Sequence, residues 1–162
     1  MAEHLIFRFT ELRIDELSTQ RPLLDVKLTG PLDAVTTVML VDSGSDVSMI
    51  QLDLAQHLGL EMGYAERTRG TSGGLDAFRT QVQAEIFHGK KLLPPLDLPV
   101  QVPAERGLPP IALLGREVFF YRYDVSFRMD HTPAKGKFVL SPVTHRRTRA
   151  TTSDGSASRD PS

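Results

Sequence analysis

The sequence predicts an all-β fold, a barrel or sandwich with one or two short helices. Three observations carry this. Short stretches such as Leu5–Leu12 and Leu23–Leu28 alternate well enough for half-buried strands. Glycine and proline, 12 and 11 of them, punctuate the chain at short intervals. Helical spacing is confined to one good segment, where Leu52, Ala55 and Leu58 share a face, Asp53 suits the dipole near the start and Gly59 provides the stop.

The remaining elements follow in order. Thr37–Val41 is a continuous apolar, β-branched run that reads as a buried strand and ends abruptly in Asp42-Ser43-Gly44-Ser45. Tyr64–Arg69 and Leu75–His88 flank the Gly-rich turn Gly70-Thr71-Ser72-Gly73-Gly74 and read as a long hairpin. Residues 94–110 hold prolines at 94, 95, 99, 103, 109 and 110, which predicts irregular chain with at most an edge strand at Leu96–Val102. Ile111–Leu114 reads as another buried strand, followed by Gly115-Arg116-Glu117 and a short helical turn. Tyr123–Met129 and Lys137–Leu140 form a last hairpin around Pro133 and Gly136.

A length of 162 residues predicts one domain, placed here at 1–143. Residues 144–162 contain Ala150 and Ala157 as their only apolar side chains, and four arginines against two aspartates give them a net charge of +2. Such a segment buries too little to offset its ordering entropy, so a disordered polar tail is expected.

Composition excludes several functions. The chain has no cysteine, which removes disulfide scaffolds, thiolate metal sites and cysteine nucleophiles. A net charge of −1 makes no electrostatic case for nucleic acid. No apolar run approaches the ~20 residues of a membrane span, and Arg8 interrupts the first apolar stretch, so no secretory signal is read and the cytoplasm is the expected location. The histidines at 4, 57, 88, 131 and 145 have no metal-ligand spacing, and neither a metal nor a cofactor is expected.

Asp42 is the most informative residue. A buried strand delivers its carboxylate onto a tight turn, where Gly44 permits close backbone approach. Taken alone, Asp-Ser-Gly is also ordinary Asx-turn chemistry. Its surroundings add more: Val38-Met39-Leu40-Val41-Asp42-Ser43-Gly44-Ser45-Asp46 resembles the active-site loop of retropepsin-like aspartic proteases. Ile111-Ala112-Leu113-Leu114-Gly115-Arg116 resembles the second signature of that family, and Gly70–Leu75 is similar to its glycine-rich flap tip. The three features stand in the family's order over about residues 22–141.

The resemblance implies a closed, strand-rich barrel (the acid protease fold) that carries half of an active site and forms a homodimer. Only one Asp-Ser-Gly is present, so Asp42 of each subunit would meet at a two-fold axis to hydrolyse a polypeptide substrate. Two carboxylates so close share a proton, as the aspartic proteases themselves exemplify. The resemblance makes Ser43 the hydroxyl that joins the two loops across the interface. It places Ser45 where a hydroxyl could donate to the carboxylate and favour an acidic optimum. Asp46 and Arg116 become a partly buried ion pair bracing the site, Leu114 and Gly115 the end of the second signature, and Gly70, Ser72, Gly73 and Gly74 the flap. Phe138-Val139-Leu140 is the expected interface strand.

Rival readings are weaker. Gly70-Thr71-Ser72-Gly73-Gly74 matches the G-x-S-x-G elbow of α/β-hydrolases, but that motif needs a helix where Phe78–Val82 predicts a strand. The loop lacks the Lys-Ser/Thr of a phosphate-binding loop. The alternative from another class is a catalytically silent relative serving as a dimerisation or peptide-binding module.

Overall fold

The computed structural model describes residues 4–70, 73–129 and 136–143. The chain runs β1 (Leu5–Arg8), β2 (Thr10–Ile14), β3 (Leu17–Arg21), β4 (Leu23–Thr29), β5 (Ala34–Val41), β6 (Ser48–Met49), α1 (Leu52–Leu58), β7 (Glu66–Gly70), β8 (Gly73–His88), β9 (Lys91–Leu92), β10 (Leu96–Pro103), β11 (Ala112–Leu114), α2 (Phe119–Arg122), β12 (Tyr123–Arg128) and β13 (Lys137–Pro142). Six strands pair in the order β10-β6-β11-β5-β4-β8, and β8 pairs back onto β10, closing a barrel. The fold is therefore all-β and closed, with two short helices, as expected.

Period-two burial builds the core. Leu24, Val26 and Leu28 of β4 point inward with Val82, Ala84 and Ile86 of β8 and Leu96, Leu98, Val100 and Val102 of β10. Helix α1 closes one side through Ala55 and Leu58, and Gly59 ends it in the left-handed conformation at φ 71°, as its sequence predicts. β5 departs from the continuous burial its apolar run suggested. Met39 and Val41 are buried but Val38 is exposed, because only one face of this strand covers the core.

The proline-rich segment is a correction. β10 is a full eight-residue barrel strand paired to β8 along its whole length and to β6 at Val100 and Gln101. The prolines are accommodated by position. Pro94 and Pro95 precede the strand, Pro103 ends it, and Pro99 lies one residue before the β6 pairing begins, where that side of the strand has no ladder to break.

The expected first strand is also divided. The Phe9 amide donates to the Gly136 carbonyl, continuing the β1–β13 register by one residue, after which β2 pairs with β3 as a separate two-stranded hairpin. β1 instead joins β13 and β12 in a three-stranded sheet. β13 is the centre of that sheet, and Phe138 and Leu140 are fully buried, so Phe138–Leu140 has no free edge to offer a second subunit. Among the described residues the free edges of that sheet belong to β1 and β12.

The expected long hairpin forms between β7 and β8. β7 and β8 pair down to Gly70 opposite Gly73, so Gly73 and Gly74 belong to the strand. Thr71 and Ser72 lie outside the described residues, as does the tail from residue 144 onward.

Candidate active site

Asp42 follows directly on β5, whose last residue, Val41, is buried and pairs in parallel with Leu114 of β11. The Asp42 amide donates to the Leu114 carbonyl at 3.0 Å, extending that pairing by one residue. The chain then turns away. One carboxylate oxygen of Asp42 accepts the Gly44 amide at 2.9 Å, and the Ser45 amide reaches the Asp42 carbonyl at 3.3 Å. This is an Asx-type turn, and it orients the half-buried carboxylate. A Cβ on Gly44 would stand 3.2 Å from the same carboxylate oxygen, so a side chain there would press on the carboxylate by a few tenths of an ångström.

Ser43 and Gly44 are exposed at the tip of the loop, and the Ser43 hydroxyl has no partner among the described residues. The Ser45 hydroxyl is different. It donates to the Val47 carbonyl at 2.8 Å, bracing the loop from within and turning away from the Asp42 carboxylate. The acid-shifting contact expected of it is not made.

Behind the loop, β11 ends and Gly115-Arg116-Glu117 runs back along residues 45–48. The Arg116 amide donates to the Ser45 carbonyl at 2.9 Å and the Glu117 amide to the Asp46 carbonyl at 2.8 Å. The Gly115 amide donates to the hydroxyl of Ser48 at 3.0 Å. Gly115 admits no side chain, since a Cβ would fall 2.5 Å and 2.6 Å from the Val47 carbonyl carbon and oxygen.

Asp46 and Arg116 do form the expected ion pair. Its setting is the correction. Their side chains are 80% and 53% exposed, so water solvates both, and the partly buried brace is instead a rim contact. The pair lines a recess of about 500 Å³ with Glu117, Phe120 and Tyr121. A larger recess of about 580 Å³, lined among others by Leu5, Leu93, Pro95 and Tyr123, includes no residue of the Asp42 loop.

Two participants carry no motif signal or only a faint one. Ser48 is fully buried at the start of β6, and a hydroxyl inside Val47-Ser48-Met49-Ile50 is the only hint of it. Val118 adopts φ 67° and ψ −52° in a tight γ-turn closed by the Phe119 amide on the Glu117 carbonyl at 2.8 Å. No propensity predicts a β-branched residue there.

Among the described residues no group of three or more His, Asp or Glu side chains is placed to hold a metal ion, and no helix is long and apolar enough to cross a membrane.

No family model matches the chain, and no curated protein does. Among solved structures it is similar to the EIAV protease complexed with the inhibitor HBY-793, at 21% identity and a TM-score of 0.44 over 62% of this chain and 86% of that one. It is also similar to a retropepsin-like aspartic protease from Rickettsia conorii, at 18% identity and a TM-score of 0.49 over 88% of this chain and 94% of that one.

Proposed function

We propose that the chain is one half of an aspartic endopeptidase, completed when two copies bring their Asp42 carboxylates together. The observation that carries this reading is the seating of Asp42. Its backbone is registered on β11 and its carboxylate is oriented by the Gly44 amide, with no hydrogen-bond donor other than that amide taking up the side chain among the described residues. A single Asp-Ser-Gly supplies one carboxylate per chain, and the chemistry needs two.

In the assembled pair one Asp42 is ionised and the other protonated. The ionised carboxylate takes a proton from a water held between them as the water oxygen bonds to the peptide carbonyl carbon. The protonated carboxylic acid hydrogen-bonds the carbonyl oxygen and gives up its proton as charge develops there. Collapse of the tetrahedral adduct breaks the carbon–nitrogen bond, and a proton passes to the leaving amine. The exposed Ser43 hydroxyls, one from each loop, meet across the two-fold axis and hold the carboxylates at a fixed separation. The β7–β8 hairpin covers the bound peptide, which lies extended and is held through its backbone.

Titration with a peptide analogue carrying a hydroxymethylene in place of the scissile amide tests the reading. Binding at one analogue per two chains, lost in Asp42→Asn, is the expected result. Binding at one per chain would contradict the shared site.

A further inference from the structure

Ser48 is 0% exposed, and a buried hydroxyl must find a hydrogen-bond partner. Its partner is the amide of Gly115, at 3.0 Å. The two residues belong to segments that touch backbone to backbone, because a Cβ on Gly115 would lie 2.5 to 2.8 Å from atoms of Val47 and Ser48.

Five contacts join residues 42–48 to residues 114–117. Three are backbone hydrogen bonds, at Asp42, Arg116 and Glu117, which persist with any side chains. A fourth is the exposed Asp46–Arg116 pair, which water and salt weaken. The Ser48–Gly115 bond is the buried side-chain contact of the set. It also sits next to the chemistry: Gly115 follows Leu114, whose carbonyl receives the Asp42 amide. A shift of Gly115 therefore moves the acceptor on which Asp42 is registered.

We propose that Ser48 is a positioning residue for Asp42, acting through its buried hydrogen bond to the Gly115 amide. The inference rests on the reading of Asp42 as catalytic. The physical reason is geometric tolerance: two carboxylates and a water must meet within a fraction of an ångström, and a misplacement of about 1 Å costs about a hundredfold in rate.

The test compares the full-length native protein with Ser48→Ala, Ser48→Cys and Ser48→Thr on a peptide that the native protein cleaves, with amide exchange followed at Gly115, Arg116 and Glu117. Cysteine, somewhat larger than serine, leaves no cavity and offers only a weak sulfur acceptor, so it stands in for alanine if that variant does not fold. We expect kcat per folded dimer to fall about 10- to 100-fold in the Ala and Cys variants with KM held within about twofold. Threonine, which keeps the hydroxyl, recovers most of the rate. Exchange protection of the Gly115 amide falls at least about tenfold when the hydroxyl is removed. A lowered Tm with unchanged kcat per folded dimer would reduce Ser48 to packing and overturn the inference. Unchanged protection at Gly115 would overturn it as well, and that measurement needs no catalysis. Absence of any Asp42-dependent cleavage by the native protein would instead defeat the protease reading, with exchange still deciding the Ser48 contact.

Discussion

The amide of Asp42 and the carbonyl of Leu114 meet at 3.0 Å, so the candidate catalytic residue is registered on the strand that ends just before Gly115. The two signatures, more than 70 residues apart in the chain, are one physical unit.

Gly115 is the tightest point of that unit. A methyl group there meets backbone atoms of Val47 and Ser48 that cannot swing aside, at 2.5 to 2.8 Å. Gly115→Ala is expected to destabilise the fold by about 1–3 kcal/mol in denaturant unfolding. Gly63→Ala is the control, because nothing lies within 4 Å of its Cβ position, and it should stay within about 0.5 kcal/mol of the native protein.

Arg116→Ala is expected to cost less than about 1 kcal/mol, because the pair it breaks with Asp46 is solvated and the Arg116 amide keeps its bond to Ser45. The cost should shrink further in high salt. A loss of about 3 kcal/mol or more in unfolding measurements would mean that dimerisation desolvates the pair.

These two cases mark what was legible in the sequence. The turn at Asp42, the Gly59 stop, the long β7–β8 hairpin and the Gly115-Arg116 signature are local, since each is dictated by residue types at fixed offsets. Pro99 was misleading because the rule against proline in a strand concerns a missing donor, and whether a ladder needs that donor depends on where β6 begins to pair. The β2–β3 hairpin and the central place of β13 depend on which strands meet. The exposure of Asp46 and the burial of Ser48 are likewise properties of packing, invisible in a loop whose residue types fit either case.

Ser45→Ala removes a hydrogen bond to the Val47 carbonyl and leaves the surroundings of the Asp42 carboxylate as they were. A stability loss of about 1 kcal/mol is expected. The pH–rate profile should stay in place, and a displaced acid limb would contradict the geometry.

The β2–β3 hairpin responds to acid. The Ser18 hydroxyl, and then Arg13, hold the Glu11 carboxyl below its ordinary range. A carboxylate depressed by folding contributes stability above its unfolded value and loses it as pH falls through the folded one. Strand pairing in this hairpin should therefore weaken locally below the usual carboxylate range while the barrel persists. NMR titration checks this, with Ser18→Ala expected to return Glu11 toward its ordinary value.

Cleavage of a proteome-derived peptide library between about pH 3 and pH 7, native protein against Asp42→Asn, tests the central claim most directly. The account predicts cleavage by the native protein and none by the variant. Equal cleavage by both would remove Asp42 from the chemistry, and silence from both in a dimer confirmed by light scattering would contradict the protease and leave a peptide-binding or dimerisation module in its place.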